Sequence, residues 1–398
     1  MNWETLYCPH RHCRGYGKPF TVGFLVKHGR SRGEPQARCI ACGGSVTLSY
    51  GTADYGLETD PALFEMAVRA LAEGNALRAT ARIVQVDKDT VGAWLDRGAR
   101  HCRMVMLSLW TNLHVTECQL DELWGFGHTK EAYRPGAKLS CATSGDAWVW
   151  IAFAPVWRWV LAFVIGKRDQ ASADVLLARI AHVTDDHIPF FTSDQLPAYK
   201  HAWLPTYGEW YQPKRQGARG AAPKLRRRPL PGLVYAQVVK KRAKGRVVAV
   251  STHVVCGEPA AVVACLATSP VRQRVHTSFV ERDNLTQRQT NRRLTRRTNG
   301  FSKDLTWFEK QLWVSMASYH LGLPHTRLRE PVPTPEPTRG HGAQRKWRPV
   351  TPALAAGLTD HVWPTHELLS YRVSAAFLDQ WHTIEHLCLR WDELHHGS

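Results

Sequence analysis

The amino-acid sequence predicts an α/β protein with more than one domain, and three observations lead to this class. The chain has 398 residues, which is too long for one ordinary hydrophobic core. Its middle part alternates between segments with the two-residue period of strands and segments with the longer period of helices. The first fifty residues show little periodic apolar pattern, and four of the ten cysteines lie there. We therefore expect a small N-terminal module followed by a larger α/β domain.

The composition favours a polyanionic partner. Lys and Arg number 52 against 34 Asp and Glu, which gives a formal net charge of +18 at pH 7. Nucleic acid is the first candidate partner for such a chain, and an anionic membrane surface is the second. The most apolar stretch, residues 147 to 166, is interrupted by Pro155 and Arg158 and is rich in aromatic and β-branched side chains. It predicts two buried strands joined by a turn, not a membrane span.

The segment from residue 1 to 50 is predicted to be a zinc ribbon. It could not bury a core unaided, and its cysteines form two pairs: Cys8 with Cys13, and Cys39 with Cys42. Two such pairs can supply four thiolates to a tetrahedral structural Zn²⁺. The first pair has the wider spacing, so His10 or His12 could replace Cys13 as a ligand. No signal peptide is recognisable, and we expect a cytoplasmic protein, where disulfides are rare.

Residues 58 to 103 predict a helix-turn-helix domain. Asp60 is a candidate N-cap with Pro61 at the first helical position, a second helix is expected at 76 to 83, and a third begins at Asp87. In such a domain the last helix enters the major groove of DNA. Three of its side chains are candidate DNA contacts: Lys88, Thr90 and Arg97. A plain three-helix bundle serving as a spacer is the alternative.

An α/β domain is predicted from 114 to 325. Strands are expected near 116 to 124, 147 to 154 and 157 to 165, followed by a helix at 170 to 183 and a strand at 188 to 193 that ends at Asp194. Three antiparallel strands, a helix and a further strand follow one another in the order of an RNase H-like sheet. The sequence therefore predicts an RNase H-like domain after the two N-terminal modules.

A basic insertion is predicted in this domain at about 212 to 256. Residues 214 to 246 contain twelve Lys or Arg, and no acid lies between Glu209 and Glu258. Part of the segment predicts a hairpin around Gly245. A run of one charge repels itself unless a polyanion lies against it, so we expect DNA contact. The candidate side chains are Arg226, Arg227, Arg228, Lys240 and Lys241.

The segment 276 to 298 predicts one long helix. Helical steps from Glu281 bring Arg288, Arg292 and Arg296 near one face, which gives a carboxylate followed by a basic stripe.

The C-terminal part is predicted to be a Pro-rich linker at 330 to 350 and a helical extension at 351 to 398. Its last helix, 373 to 394, has an apolar stripe for docking on the body or on another subunit. The sequence "HTIEH" at 382 to 386 has the form of a zinc-peptidase motif, but a five-residue match arises easily in a chain with 20 His.

Three acids have positions that favour metal chemistry: Asp121 on the first strand, Asp194 at the end of a later strand, and Glu281 on the basic helix. Alternation puts Asp121 on the polar face of its strand and Glu122 on the other face, where we expect a structural role. In an RNase H-like fold these three positions converge, and their carboxylates bind two Mg²⁺ (or Mn²⁺) ions about 4 Å apart.

Three sequence blocks carry a resemblance to a known family: "LDELWGFGHTK" around Asp121, "FFTSDQLPAY" around Asp194 and "HTSFVERDNLTQRQTNRRLTRRTNGFSKD" around Glu281. They resemble the transposases of the insertion sequence one family of bacterial mobile elements, over about residues 1 to 325. The wide first cysteine pair, the long basic insertion and the C-terminal extension depart from the family pattern.

The resemblance implies the aspartate-aspartate-glutamate mechanism of DNA transposition, with Asp121, Asp194 and Glu281 as the catalytic triad. It further implies that Arg288 contacts a phosphate near the scissile bond, with Asn284 as a second candidate. The implied partners are double-stranded DNA, as terminal inverted repeats and target, and further copies of the chain in a homo-oligomer. A non-catalytic DNA-binding regulator and an RNase H-like nuclease such as a junction resolvase are the alternatives.

Overall fold

The computed structural model describes residues 2–130, 145–215, 223–296, 299–338 and 342–387. It shows a mixed α/β protein, which confirms the predicted class at that level. Two compact units are distinguished within the described residues: those in 2–109, 289–292 and 307–387 form the first, and those in 110–288 and 293–306 form the second. None of the helices in the described part of the chain is long and apolar enough to cross a membrane.

The first unit begins with a small antiparallel sheet. Its strands are β1 (Leu25–Ser31), β2 (Glu34–Cys39) and β3 (Ser45–Thr47), hydrogen-bonded in the order β1-β2-β3. Arg32 and Gly33 connect β1 to β2, and both have positive φ, as a two-residue hairpin turn requires. Few side chains pack inside, among them Leu6, Leu25 and Val46. This core is small, as the weak apolar pattern predicted.

Three helices follow: α1 (Pro61–Ala72), α2 (Leu77–Val84) and α3 (Lys88–Leu109). The Asp60 side chain accepts a hydrogen bond from the Ala62 N–H at 2.9 Å, which confirms the predicted N-cap. Gln85 ends α2 in the left-handed conformation, and this makes the turn before α3 tight. Helix α3 continues past the predicted end at residue 103. Its second half is buried against the C-terminal part of the unit, where His101 Nε2 lies 3.0 Å from the Leu368 carbonyl oxygen.

The second unit is built on a mixed six-stranded sheet. Its first elements are β4 (Glu117–Gly127), β5 (Gly145–Ala154), β6 (Trp159–Gly166), α4 (Gln170–Val183) and β7 (Phe190–Ser193). Each agrees with the predicted element within a few residues. The apolar stretch 147 to 166 forms two antiparallel neighbours, β5 and β6, and every residue of β6 is buried.

The chain continues through six further elements: α5 (Tyr199–Tyr207), β8 (Gly208–Tyr211), β9 (Arg226–Pro229), β10 (Tyr235–Ala243), β11 (Arg246–Cys256) and α6 (Pro259–Thr268). The strand order in the large sheet is β11-β10-β7-β4-β5-β6, with β4, β7 and β10 parallel. The hairpin predicted around Gly245 is present as β10 and β11.

Part of the predicted basic insertion, 212 to 256, belongs to the large sheet itself. Strand β10 pairs with β7 over Tyr235–Gln237 and is an internal strand of the sheet. Tyr235 and Ala236 are fully buried. The segment has parts of opposite character, because the start of β10 enters the core, whereas the cations lie before it, on and around β9, and after it, along the hairpin. A count of charge over the whole segment concealed this division.

Helix α7 (Ser278–Thr290) is shorter than the predicted helix 276 to 298, of which residues 297 and 298 lie outside the described part. Thr290 and Asn291 are poor helix formers, and after them a short 3₁₀ turn at Arg292–Leu294 buries Leu294. The predicted basic stripe is consequently broken. Arg292 and Arg296 follow the end of the helix and do not continue the face that carries Arg288.

The C-terminal part of the first unit contains α8 (Leu305–Ala317), which begins in the second unit, then β12 (Glu330–Glu336), β13 (Arg345–Arg348), α9 (Pro352–Ala355), α10 (Thr365–Ser370) and α11 (Ala375–Leu387). Within the predicted Pro-rich linker, β12 and β13 pair as antiparallel strands. Of the predicted apolar stripe, Phe377 and Trp381 pack together, whereas residues 388 to 394 lie outside the described part. The backbone of the "HTIEH" residues is helical, and their side chains lie outside the described part of the structure.

The helical extension docks on the N-terminal module of the same unit. Arg372 donates to the carbonyl oxygens of Tyr50 (2.6 Å) and Leu48 (2.7 Å) and to the Thr5 hydroxyl (2.6 Å). The Tyr16 hydroxyl donates to the Asp379 carboxylate at 2.8 Å. Of the two predicted docking partners, the body of the chain is the one that the structure shows.

Candidate functional site

Asp121 and Asp194 lie close together on two neighbouring parallel strands: Asp194 directly follows the end of β7, and Asp121 lies within β4, two residues beyond the part that pairs with β7. Gln119 on β4 pairs with Thr192 on β7, so two further residues along each strand bring these two carboxylates together. The loop after β7 fixes Asp194, whose Oδ1 accepts a hydrogen bond from the Leu196 N–H at 3.0 Å. The carboxyl ends of parallel strands are where α/β sheets bind ligands.

Glu122 completes an acidic cluster with these two residues. One ligand oxygen from each of Asp121, Glu122 and Asp194 lies within 4.8 Å of the other two. Sequence alternation assigned Glu122 a structural role on the opposite face, whereas in the structure one of its oxygens lies near those of Asp121 and Asp194. Asp194 follows the last residue of its strand, so a carboxylate from either face of β4 can reach it. The signal available in the sequence was the adjacent pair of acids itself.

The Glu122 side chain is 1% exposed, and its two oxygens differ in environment. Oε2 accepts a hydrogen bond from Arg168 Nη2 at 3.1 Å. Oε1 is buried and accepts no hydrogen bond of good geometry, but the buried Tyr199 hydroxyl lies close enough to the carboxylate to oppose the rise of its pKa. A buried carboxylate oxygen without a partner costs free energy, and a cation at the cluster would supply the missing interaction.

The electrostatics of the cluster also fit a cation. Burial and the charges of Glu122, Asp194 and Glu281 raise the pKa of Asp121 to about 7. Burial and the Asp194 charge raise the pKa of Glu122 to about 7, although the Tyr199 hydroxyl and Arg168 oppose this. Like charges held together in a poorly solvated place favour the protonated form, and a divalent cation reverses that preference. The cluster therefore offers a site that could hold a metal ion.

Helix α7 is anchored along β4 by two side chains of the strand. Gln119 Nε2 donates to the His276 carbonyl oxygen at 2.8 Å, and its Oε1 accepts from the Val280 N–H at 3.0 Å. One turn further, Asn284 Nδ2 donates to Asp121 Oδ2 at 2.7 Å. These bonds set the position of the helix that carries Glu281.

Glu281 lies beside the acidic cluster and outside it. Its carboxylate accepts hydrogen bonds from Lys240 Nζ at 2.5 Å and from the Thr277 hydroxyl at 2.8 Å. Partial burial alone would raise the pKa of Glu281, but the bonds from Lys240 and Thr277 outweigh it and lower the pKa. Of the three predicted catalytic acids, the structure brings Asp121 and Asp194 into one cluster and pairs Glu281 with Lys240.

A buried ion pair stabilises the strands and the helix that carry these acids. Arg272 Nε donates to the Glu117 carboxylate, and both side chains are almost fully buried. Arg272 Nη1 also donates to the Thr192 hydroxyl (3.1 Å) and to the His276 carbonyl oxygen (3.3 Å). The pair thus connects β4, β7 and the start of α7.

Arg288 uses its guanidinium within the protein. Nη1 donates to the carbonyl oxygens of Leu294 (2.5 Å) and Trp124 (3.4 Å), which ties the end of α7 to β4. Burial and the neighbouring Arg296 lower its pKa to about 10, so it remains a cation at neutral pH. Arg292 and Arg296 are exposed.

The candidate DNA contacts of the helical domain differ in exposure. Lys88 is exposed at the start of α3 and pairs with Asp89, and Thr90 is half-buried. Arg97 donates to the carbonyl oxygens of Tyr55 (2.7 Å) and Ala53 (3.1 Å). The expectation that the Arg97 side chain is free for a ligand is wrong, because it holds the segment before α1.

The arginines of β9 are also partly engaged. Arg227 donates to the Leu204 carbonyl oxygen at 2.8 Å and lies over the Trp210 ring. Arg228 pairs with Glu209 at 2.8 Å, with more than half of its side chain exposed. Arg226 is exposed, and so is Lys241 on the hairpin, whereas Lys240 is half-buried.

The four N-terminal cysteines come together as predicted. The sulfur atoms of Cys8 and Cys42 are 3.7 Å apart, as are those of Cys13 and Cys39, and all four lie within 4.8 Å of one another. Burial raises the pKa of Cys39, but hydrogen bonds from backbone N–H groups outweigh it and lower the pKa to about 7. The cluster could hold a metal ion. His10 lies next to it, with Nδ1 at 3.2 Å from the Cys42 sulfur.

No protein-family model matches this sequence, and no curated protein sequence matches it significantly.

Proposed function

We propose that the chain is a transposase that cleaves DNA and joins its strands at an RNase H-like site. The observation that carries the proposal is the pair Asp121 and Asp194 on adjacent parallel strands, inside a carboxylate cluster. The strand order β6-β5-β4-β7-β10 is the order of an RNase H-like sheet with one further strand, β11, at its edge. The motif resemblance around Asp121, Asp194 and Glu281 supplies the reaction class.

In this proposal Asp121, Glu122 and Asp194 hold Mg²⁺ or Mn²⁺, and Glu281 acts from α7. Two bound ions would supply an activated water or DNA 3′-hydroxyl and would neutralise the leaving oxygen. Asn284 and the backbone N–H of Glu122 each hold one oxygen of Asp121, so its carboxylate is oriented before any ligand binds. Lys240 is placed to exchange its bond with Glu281 for a DNA phosphate.

The cysteine cluster is proposed as a structural Zn²⁺ site of a zinc ribbon. For Zn–S bonds of about 2.3 Å, tetrahedral geometry separates the sulfur atoms by about 3.8 Å. The two separations of 3.7 Å agree with this value. In this proposal Cys13 is the fourth ligand in preference to His10 and His12, because its sulfur lies among those of the other three cysteines. The module and the three helices after it would recognise the terminal repeats, with Lys88 and the exposed cations as contacts.

The test uses purified full-length protein with supercoiled plasmid that carries the DNA flanking the gene. With Mg²⁺ we expect nicking and strand joining, and Asp194→Asn should abolish both. Asp186→Asn is the matched control, because Asp186 is an exposed acid of the same unit. Activity that persists in Asp194→Asn would refute the proposed site.

A nuclease that cuts without joining is the second candidate. It is favoured by one observation, that Glu122 and not Glu281 belongs to the acidic cluster. Nicking without any joined product, in the presence of excess DNA 3′ ends, would select this alternative. Binding of DNA without metal-dependent cutting would instead select a regulator.

A further inference from the structure

The hairpin of β10 and β11 extends beyond the sheet as a two-stranded ribbon. Strand β10 is paired with β7 only over Tyr235–Gln237, whereas its pairing with β11 continues to Ala243 and Arg246. Every residue from 241 to 253 is exposed. Lys244 and Gly245 both have positive φ and form the two-residue turn at the tip. We call residues 240–251 the ribbon.

The ribbon carries charge of one sign. Its cations are Lys240, Lys241, Arg242, Lys244 and Arg246, and no acid lies between Glu209 and Glu258. Lys240 at the base pairs with Glu281 of the neighbouring helix. Cations concentrated on a thin projection repel one another, and an anionic partner removes that repulsion.

The ribbon also exposes apolar side chains between its cations. Val247, Val248 and Val250 are 45%, 63% and 60% exposed. The register shifts between Lys241 and Arg242, so Val248 is an extra residue on β11. Three exposed valines close together on an edge strand favour a partner that tolerates both apolar contact and high positive charge.

Duplex DNA satisfies both conditions, and a second copy of the chain satisfies only one. Paired strands are about 4.8 Å apart, and the major groove is about 12 Å wide, so a two-stranded ribbon enters it. Phosphates would receive the cations, and valine methyl groups would contact thymine methyl groups in the groove. Edge-to-edge pairing of two such ribbons would instead bring five cations of each copy together.

We infer that the ribbon is an arm that enters a groove of duplex DNA and holds the DNA that reaches the acidic cluster. The inference rests on the proposed function for the nature of the partner. It goes beyond that function by assigning groove contact to residues 241–250 of β10 and β11. Lys240 connects the base of the arm to Glu281, so the arm and the cluster would act on one piece of DNA.

The first test is site-specific crosslinking. Val248→p-benzoylphenylalanine, irradiated with a labelled duplex of about four helical turns, should crosslink the full-length protein to DNA. The matched control is the same substitution at Val263, which is 66% exposed on α6 of the same unit. Crosslinks from residue 248 to a second chain, or equal DNA crosslinking from residue 263, would overturn the inference.

The second test measures how strongly DNA binding depends on salt concentration. The double variant Lys244→Gln, Arg246→Gln should bind duplex DNA with a weaker salt dependence. The slope of the logarithm of the association constant against the logarithm of the salt concentration should become about 2 smaller in magnitude, because each phosphate contact contributes about 0.9. The control, Arg327→Gln with Lys346→Gln, removes the same charge from exposed positions of the other unit. Equal slopes for the two double variants would overturn the inference that the arm contacts DNA.

These outcomes are separable from those of the proposed function. A protein that nicks and joins DNA but gives no crosslink from residue 248 lacks the arm and keeps the function. A protein that crosslinks from residue 248 but never cuts DNA with Mg²⁺ keeps the arm and loses the catalytic function.

Discussion

Asn284 on α7 donates a hydrogen bond to Asp121 on β4 at 2.7 Å. The bond joins the helix that carries Glu281 to the strand that carries the acidic cluster. The other Asp121 oxygen accepts from the Glu122 N–H at 2.9 Å, so both oxygens of this carboxylate are held by the protein. A carboxylate held in this way loses little rotational freedom when it binds a cation.

Asn284→Ala should therefore lower nicking by about 10- to 100-fold, the usual effect of removing a group that orients a metal ligand. The exposed Gln289→Ala on the same helix is the control and should retain full activity. Single-turnover nicking rates against Mg²⁺ concentration provide the measurement. If excess Mg²⁺ does not restore the nicking rate of Asn284→Ala, and the variant is also less folded, the result would argue against an orienting role.

Glu122→Gln tests the membership of Glu122 in the metal site. The amide keeps the size and the oxygen that meets Arg168, but removes the charge. We expect Mn²⁺ affinity, measured by calorimetry, to fall at least about tenfold. Unchanged affinity would return Glu122 to the structural role that the sequence suggested.

The raised pKa of Asp121 predicts that the free energy of unfolding of the metal-free protein, kept in chelator, depends on pH. Between about pH 4 and pH 7 the folded protein keeps a proton on Asp121 that the unfolded chain has released. The free energy of unfolding therefore falls as pH rises through this window, by up to about 1.4 kcal/mol per unit for such a group. Asp121→Asn lacks this loss, so its stability relative to wild type should increase from pH 4 to pH 7.

Urea unfolding at several pH values, with the chelator present throughout, measures this difference. A difference that stays constant, or decreases, over the window would contradict the raised pKa. Added Mg²⁺ should flatten the wild-type profile, because the cation stabilises the ionised carboxylates.

Breaking the pair of Glu117 and Arg272 should destabilise the second unit. Glu117→Ala leaves the buried guanidinium without its counter-charge, which costs about 3 to 5 kcal/mol. Adding Arg272→Met to this variant should recover much of the loss, because the unpaired buried charge is then gone. Denaturant titration measures the free energy of unfolding of the two variants. If the double variant does not recover stability, the pair contributes mainly through its other hydrogen bonds.

The cysteine site predicts a metal content of one zinc per chain. Cys13→Ser should reduce bound zinc and the melting temperature, whereas His12→Ala, a change at an exposed side chain, should leave both unchanged. Elemental analysis and thermal melts measure the two quantities. Zinc loss in His12→Ala with retention in Cys13→Ser would reassign the ligand.

Local patterns predicted much of this structure because they reflect local physics. Alternation placed Asp121 on the polar face of β4, and the end of a short apolar strand placed Asp194 at the sheet edge. The contacts that depend on packing were not predictable: Glu122 joins the cluster through a strand end, Arg97 bonds to a segment forty residues earlier, and α7 ends where Leu294 becomes buried.

Arg372 has a consequence for synthesis of the chain. Its guanidinium binds carbonyl oxygens at residues 48 and 50, more than 300 positions earlier. The cysteine module leaves the ribosome long before this residue does, so during translation it exists first without that support. A premature stop codon before residue 372 would accordingly damage the beginning of the protein as well as its end.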